Sequence, residues 1–141
     1  MKSRKYCVRG CLVSACLLFL SMGAPMVGAA WAGGQVSGRY LEARGAGIML
    51  ELKIKAPAPK SIIVIQQFAS GTDIKKALPP YAKYDPASGR AKWLLKKVRP
   101  GKQLIHVYAS SAVRPGSVSC TIRYRDPVSG AMIEKAVEPA P

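Results

Sequence analysis

The stretch that decides the fold is IKKALPPYAKYDPASGRAKWLLKKVRPG, from Ile74 to Gly101. Three turn signals surround a short alternating segment with Trp93 at its centre: Leu78-Pro79-Pro80, Asp85-Pro86-Ala87-Ser88-Gly89 and Arg99-Pro100-Gly101. Proline and glycine at these spacings form tight turns and prevent a helix from continuing. The pattern predicts short strands packed around Trp93, which we expect in a sandwich core rather than on a ligand platform.

Alternation of apolar and polar residues extends this pattern outward in both directions. Ile48, Leu50, Leu52 and Ile54 share one face of a strand, while Met49, Glu51, Lys53 and Lys55 take the other. Segment 117–125 repeats the alternation with Val118, Cys120, Ile122 and Tyr124 facing inward. A period of two is typical of strands covered on one face.

Strands are predicted at 48–55, 61–69, 90–97, 102–111, 117–125 and 131–137. Segment 38–43 is a further short candidate, and 74–78 fits either a strand edge or one helical turn. Six or seven short strands, with turns every eight to twelve residues, predict an all-β fold. We expect a single antiparallel immunoglobulin-like β-sandwich.

The N-terminal segment has the pattern of a signal peptide over residues 1–32. Lys2, Arg4, Lys5 and Arg9 precede an uncharged apolar run, and Ala30-Trp31-Ala32 fits the small-residue cleavage rule. Cleavage after Ala30 is a second option. An uncleaved anchor and a lipoprotein with Cys16 as the lipidated residue are the alternatives. In each case the chain is exported, to the periplasm, the cell surface or the medium.

The remaining 109 residues from Gly33 suit one domain with a modest core. Residues 33–47 are glycine-rich and predict a flexible segment, 48–137 the sandwich and 138–141 a fraying tail. Four of the 22 Lys and Arg residues lie in the leader, which leaves 18 against 7 acidic residues, a net charge of +11.

Cysteine usage adds one expectation. Cys7, Cys11 and Cys16 fall in the leader, so Cys120 has no intramolecular partner in the mature domain. A buried small hydrophobe is the usual role of such a residue, and an intermolecular disulfide is the alternative.

The turn and core residues resemble the conserved-repeat domain, also called DUF11. The resemblance covers residues 48–137 and rests on Leu78-Pro79-Pro80, Ala91-Lys92-Trp93-Leu94, Val98-Arg99-Pro100-Gly101 and Gly116 followed by Cys120. Lys92 and Val98 depart from the family pattern, and the chain has one copy where the family forms arrays. The resemblance implies an immunoglobulin-like module of bacterial envelope and surface proteins, with a structural or binding role and no catalytic residues.

No catalytic or metal-binding constellation stands out in the sequence. His106 is the only histidine, and Ser110, Ser111 and Asp126 form no recognisable nucleophile motif with it. One His and one Cys are too few for zinc, and isolated Asp residues do not suit calcium. We therefore expect neither an enzyme nor a cofactor.

Positive charge is the feature most able to carry a function. The candidate anion-binding residues are Lys53, Lys55, Lys96, Lys97, Arg99, Arg123 and Arg125. A face of one sign attracts anionic partners, and Tyr81, Tyr84 and Tyr108 are able to stack with bases or sugars. The plainer interpretation is that these cations solvate the surface and protect edge strands from aggregation.

Two hypotheses follow for the function. The leading one is an envelope or surface module that contacts a protein partner through edge strands and complementary charge. The alternative is a module that binds an anionic polymer or lipid head groups. Nucleic acid is disfavoured because an exported protein rarely meets it and no recognition motif is present.

Overall fold

Eight strands form two antiparallel sheets in the computed structural model, which describes residues 34–114 and 116–139. The strands are β1 (Val36–Ile54), β2 (Ser61–Gln67), β3 (Ile74–Leu78), β4 (Lys83–Asp85), β5 (Arg90–Lys96), β6 (Gly101–Val113), β7 (Ser119–Arg125) and β8 (Met132–Val137). The three-stranded sheet has the order β1-β6-β3 and the five-stranded sheet the order β4-β5-β2-β7-β8. The predicted all-β antiparallel sandwich is confirmed. The predicted leader, residues 1–32, lies outside the described residues.

The inward residues follow the alternation of the sequence. Ile105, Val107 and Ala109 of β6 are buried, and so are Ala91 and Trp93 of β5. The core residues predicted on β7, which are Cys120, Ile122 and Tyr124, are buried as well. Apart from Ala109, these side chains belong to one hydrophobic cluster with members from both sheets, so the core lies between the sheets.

Two of the strands go beyond the prediction. The sequence did not decide whether segment 74–78 is a strand edge or one helical turn. In the structure it is the strand β3, which pairs with β6. β4 has only three residues, and its register places Lys83 opposite Lys92 and Asp85 opposite Arg90 of β5. A strand that short gives no periodic signal, which is why the sequence did not indicate it.

The start of the sandwich differs most from the prediction. The backbone N–H of Lys55 donates to the Gln35 carbonyl at 2.7 Å, so the two ends of β1 lie side by side. Nineteen extended residues would separate those ends by about 60 Å. β1 must therefore turn back on itself, and Gly45, with φ of 60°, sits at its midpoint beside a register shift. We call residues 36–44 the first arm of β1 and residues 47–54 the second arm.

The first arm is part of the packed domain, so the prediction of a flexible segment over residues 33–47 is wrong from Val36 onward, whereas the short candidate strand at 38–43 lies within β1. Val36, Tyr40 and Ala43 are buried. A Cβ atom on Gly38 would lie 2.7 Å from Ile122 Cδ1 and 2.8 Å from Val137 Cγ2. The missing side chain is what lets the first arm approach the five-stranded sheet. The sandwich accordingly begins twelve residues before the predicted boundary at Ile48.

Trp93 is fully buried and has a polar partner. Its Nε1–H donates to the Pro79 carbonyl at 3.0 Å, and the Tyr81 ring meets it edge-on at a centroid distance of 6.4 Å. A buried indole usually needs such an acceptor. The turn after β3 therefore satisfies the tryptophan that β5 supplies to the core.

Candidate anion-binding site

One end of the sandwich collects the ends of several strands from both sheets. Ile54 of β1 pairs with Gly101 of β6, and Ser61 of β2 pairs with Lys96 of β5. The Lys97 N–H donates to the Lys60 carbonyl at 3.0 Å, which holds the β5–β6 connection against the β1–β2 connection. Short connections at this end are therefore held next to one another by backbone hydrogen bonds.

These strand ends and connections carry an unusual number of cations, and we call this region the basic end. Its members are Lys53, Lys55, Lys60, Lys96, Lys97, Arg99, Lys102 and Arg125. All eight are exposed. Only Lys102 lies within 4 Å of a carboxylate of the described residues, at 3.3 Å from Glu51 Oε2. The basic end therefore presents cations without matching anions.

Glu51 is an acid beside the basic end that is buried and paired with two cations. The sequence predicts it on the outward face of its strand, yet the residue is only 6 % exposed. Arg39 of the first arm contacts Glu51 Oε1 at 2.9 Å, and this hydrogen bond, with that from Lys102, holds the pKa of the Glu51 carboxyl below its usual range. The prediction of a solvent-facing Glu51 is wrong because the first arm lies alongside and covers it.

Asp126 is the other acid near these cations, and its own turn occupies it. Asp126 Oδ1 accepts from the Val128 N–H at 3.1 Å, and Oδ2 accepts from Ser129 Oγ at 2.8 Å. These bonds lower the pKa of the Asp126 carboxyl, the backbone bond from Val128 most of all. The carboxylate thus stabilises the β7–β8 turn, and it is not within 4 Å of any Lys or Arg in the described ranges.

The fold brings together six of the seven candidate residues. Lys53, Lys55, Lys96, Lys97, Arg99 and Arg125 all belong to the basic end. Arg123 does not, because its Nε contacts Glu134 of β8 at 2.9 Å on the outer face of the five-stranded sheet. Lys60 and Lys102 join these six, and Lys60 was not indicated by the sequence. Its position one residue before β2 was the available signal, since antiparallel pairing returns that end to the end of β5.

The β5–β6 connection forms a groove of about 430 Å³ within the basic end. Lys96, Lys97, Arg99 and Lys102 line it together with Pro79 and Val98. Lys97 has φ of 53°, the left-handed region that costs an ordinary L-residue roughly 1–2 kcal/mol. Strained backbone of this kind often occurs at binding sites. It fixes the direction of the chain where the cations are densest.

The other sequence candidates lie apart from the basic end. His106 pairs with Met49 and Leu78 across the three-stranded sheet, and Ser110 Oγ donates to the Asp73 carbonyl. Asp126 lies in the β7–β8 turn of the other sheet, so the fold does not assemble a Ser/His/Asp set from these residues. Of the three tyrosines, Tyr84 donates its hydroxyl to the Thr72 carbonyl, Tyr81 packs on Trp93, and Tyr108 lies on the opposite sheet. They form no common stacking platform.

Cys120 is sealed inside the sandwich. It is 2 % exposed, and burial raises the pKa of its thiol to about 12. A thiol of this kind is neither accessible nor ionised at neutral pH, so it is a poor nucleophile. An intermolecular disulfide through Cys120 is incompatible with the folded domain.

No protein-family model matches the chain, and no curated protein is significantly similar to it in sequence. The resemblance to the conserved-repeat domain therefore stays a prediction. Within residues 34–114 and 116–139, no helix is long and apolar enough to cross a membrane. The same residues contain no group of three His, Cys, Asp or Glu side chains placed to hold a metal ion.

Proposed function

We propose that this protein is an exported, non-enzymatic sandwich domain that works by contact, and that its basic end binds an anionic polymer. The observation that supports this best is the concentration of eight exposed cations at one end, seven of them without a carboxylate within 4 Å among the described residues. Such a surface raises the local concentration of polyanions and speeds their encounter. Export rests on the leader pattern of residues 1–32.

A polymer fits this surface better than a single small anion. The cations extend from Lys53 and Lys102 on one sheet, across the two connections, to Arg125 on the other. Only a ligand with repeating negative charge would contact all of them at once. An acidic polysaccharide is the polymer that an exported protein would encounter at a cell surface.

The test is retention of the mature protein on immobilised heparin, eluted with a salt gradient from about 50 to about 500 mM, over which screening becomes severe. The variant carries Lys96→Gln, Lys97→Gln and Arg99→Gln. The matched control carries Lys75→Gln, Lys76→Gln and Arg114→Gln, which removes the same charge from the region of β3 and the end of β6. We expect the first variant to elute at markedly lower salt than the control.

Two results would contradict the proposal. If both triple variants elute at the same salt concentration, retention reflects net charge alone and not the basic end. If the unaltered protein passes through the column at about 150 mM salt, the surface does not attract polyanions under physiological screening.

A protein partner is the second candidate, and a separate surface favours it. The outer face of the three-stranded sheet carries Leu41, Leu78, Leu104 and Tyr108, each between 39 % and 48 % exposed. His106 lies among them, between Leu104 and Tyr108 along β6 and opposite Leu78. Exposed apolar side chains that gather on one face of a soluble domain often mark a protein contact. The partner would be an envelope or surface protein, and its co-purification would persist at about 500 mM salt. Loss of that co-purification in the Leu78→Ser, Leu104→Ser variant would identify the surface.

A further inference from the structure

A second groove opens on the outer face of the five-stranded sheet, and its chemistry differs from that of the basic end. It has a volume of about 520 Å³ and lies where β2 begins, β7 ends and β8 begins. The register places Ile63 beside Arg123 and Arg125 beside Met132 in this region. The volume falls within the range of about 300–1,000 Å³ typical of small-molecule sites.

The groove combines an apolar lining with cations. Ala58, Ile63, Pro127 and Met132 supply apolar surface, and Met132 is an adaptable side chain that is 62 % exposed. Lys60, Arg123 and Arg125 supply the positive charge. Arg123 is engaged by Glu134, whereas Lys60 and Arg125 have no carboxylate within 4 Å in the part of the chain that the structure describes.

One acid, Asp126, also lines the groove, and its carboxylate is hydrogen-bonded within its own turn. Both Asp126 oxygens accept hydrogen bonds from the β7–β8 turn, from the Val128 N–H and the Ser129 hydroxyl. The charge of the groove therefore favours an anion, held by Lys60 and Arg125.

Four classes of ligand differ in how well they fit this lining. A polysaccharide would make no use of an exposed Met132 and Ile63, and a neutral apolar molecule would make no use of Lys60 and Arg125. A nucleotide needs a ring to stack on, but the aromatic residue that lines the groove, Tyr124, is buried in the core. An anionic head on an alkyl chain uses both halves of the lining.

We propose that this groove binds an amphipathic anion, with its chain on Ile63 and Met132 and its charged head at Lys60 and Arg125. The groove shares Lys60 and Arg125 with the basic end, but the inference goes beyond polymer binding and does not depend on it, because Ile63 and Met132 lie outside the basic end. Free carboxylates and the anionic lipids of a bilayer share this chemistry.

The test is calorimetric titration of the mature protein with hexanoate, octanoate and decanoate, each below its micellar concentration, and with decanol. We expect affinity to rise roughly fourfold for each methylene that the groove covers. Decanoate should bind more tightly than decanol because the alcohol has no charge for the two cations.

Two variants and two controls assign the binding to the groove. Met132→Ser should weaken decanoate binding and flatten the dependence on chain length, and Arg125→Gln should reduce the preference for the acid over the alcohol, since Lys60 alone then holds the head. Val128→Ser, at a 74 % exposed position of the same turn, should bind as the unaltered protein does. The Lys96, Lys97 and Arg99 triple variant should also bind decanoate normally, and Met132→Ser should be retained by heparin normally, so the two proposals fail separately.

Vesicles of phosphatidylcholine with added phosphatidylglycerol identify the source of the ligand. Binding of monomeric decanoate that depends on Met132 supports a free amphiphile. Binding of the vesicles alone, with the same dependence on Met132 and Arg125, supports a bilayer lipid. The proposal is overturned if neither probe binds, if affinity ignores chain length, or if both variants bind as the unaltered protein does.

Discussion

The chain makes the same turn twice, in two different settings. Asp85-Pro86-Ala87-Ser88-Gly89 joins β4 to β5, and Asp126-Pro127-Val128-Ser129-Gly130 joins β7 to β8. In both turns the aspartate accepts from the N–H two residues later and from the serine hydroxyl three residues later. Each glycine has positive φ, 68° and 73° respectively. Locally the two turns are equivalent.

Their surroundings differ. The first turn docks on the β2–β3 connection, because Phe68 N–H donates to the Gly89 carbonyl at 2.8 Å and Gly71 N–H donates to the Pro86 carbonyl at 2.9 Å. Among the described residues, the second turn bonds only within itself and to its own hairpin, as where Asp126 N–H donates to the Ala131 carbonyl. The same sequence pattern therefore packs against a neighbouring connection in the β4–β5 turn and forms an undocked hairpin turn between β7 and β8. The pattern determines the turn, and tertiary packing determines what the turn does.

The largest difference between the two turns is expected for the substitutions Gly89→Ala and Gly130→Ala. Both put a side chain at positive φ, at a cost of roughly 1–2 kcal/mol. A Cβ at position 89 would also collide with the Phe68 carbonyl and lie 2.7 Å from the Ala69 carbonyl, whereas a Cβ at position 130 would have no described atom within 4 Å. We expect urea unfolding to show a loss of about 3 kcal/mol or more for Gly89→Ala and only the conformational cost for Gly130→Ala. Equal losses would contradict the docking of the first turn.

Tyr84→Phe tests the support that the first turn alone receives. The Tyr84 hydroxyl, one residue before the turn, donates to the Thr72 carbonyl in the β2–β3 connection. The loss of this bond should reduce the free energy of unfolding by about 1 kcal/mol, as is typical of a single hydrogen bond. Arg125, at the equivalent position before the second turn, is the control, and Arg125→Ala should change stability by less. A larger loss of stability in Arg125→Ala than in Tyr84→Phe would contradict this support of the first turn by Tyr84.

Acid titration should treat the two turns alike. The Ser88 hydroxyl and the Ala87 N–H lower the pKa of the Asp85 carboxyl, and the Val128 N–H and Ser129 hydroxyl lower that of Asp126. A carboxyl whose pKa falls on folding stabilises the fold above its unfolded pKa, near 4, and this contribution is lost as the pH falls through the folded value. The midpoint temperature of thermal unfolding should therefore decrease as the pH is lowered below about 4. The decrease should be less steep in Asp85→Asn and in Asp126→Asn. An unchanged slope in either variant would show that its aspartate does not stabilise its turn.

The smallest effect is expected from the middle residue of each turn, which is Ala87 in one and Val128 in the other. Both are exposed, so Ala87→Val and Val128→Ala should each change the free energy of unfolding by no more than about 0.5 kcal/mol. Thermal unfolding is sufficient as a measurement. A loss well above this figure at Ala87 would mean that the docked turn buries more of its surface than the contacts indicate.

These turns mark what local sequence is able to predict. Alternation located the second arm of β1, β5, β6 and β7 and the inward faces that hold Trp93 and Cys120, since a period of two reports burial directly. The β-branched content of segment 61–69 located β2. Within the first arm of β1 the sequence indicated only a short candidate strand at 38–43, because the glycines there resemble a mobile segment and their role depends on Ile122 and Val137, more than eighty residues away. Long-range contacts of this kind leave no local signature.

The basic end shows the same division. Strand ends and turns are visible in sequence, so Lys96, Lys97 and Arg99 were recognised together. Pairing between distant charges is not visible, and for this reason the engagement of Arg123 by Glu134 and of Glu51 by Arg39 could not be predicted. The two grooves depend on how connections from both sheets meet, which only the fold determines.

The return of β1 on itself has a consequence for how this domain meets other chains. Gly38 packs beside Ile122 and Val137, so the first arm of β1 lies against β7 and β8 along one flank of the sandwich. The opposite flank ends in β3 and β4, which have only five and three residues. These two short strands offer an invading strand little backbone to pair with, whereas the first arm of β1 and the six residues of β8 are outer strands of their sheets with longer borders.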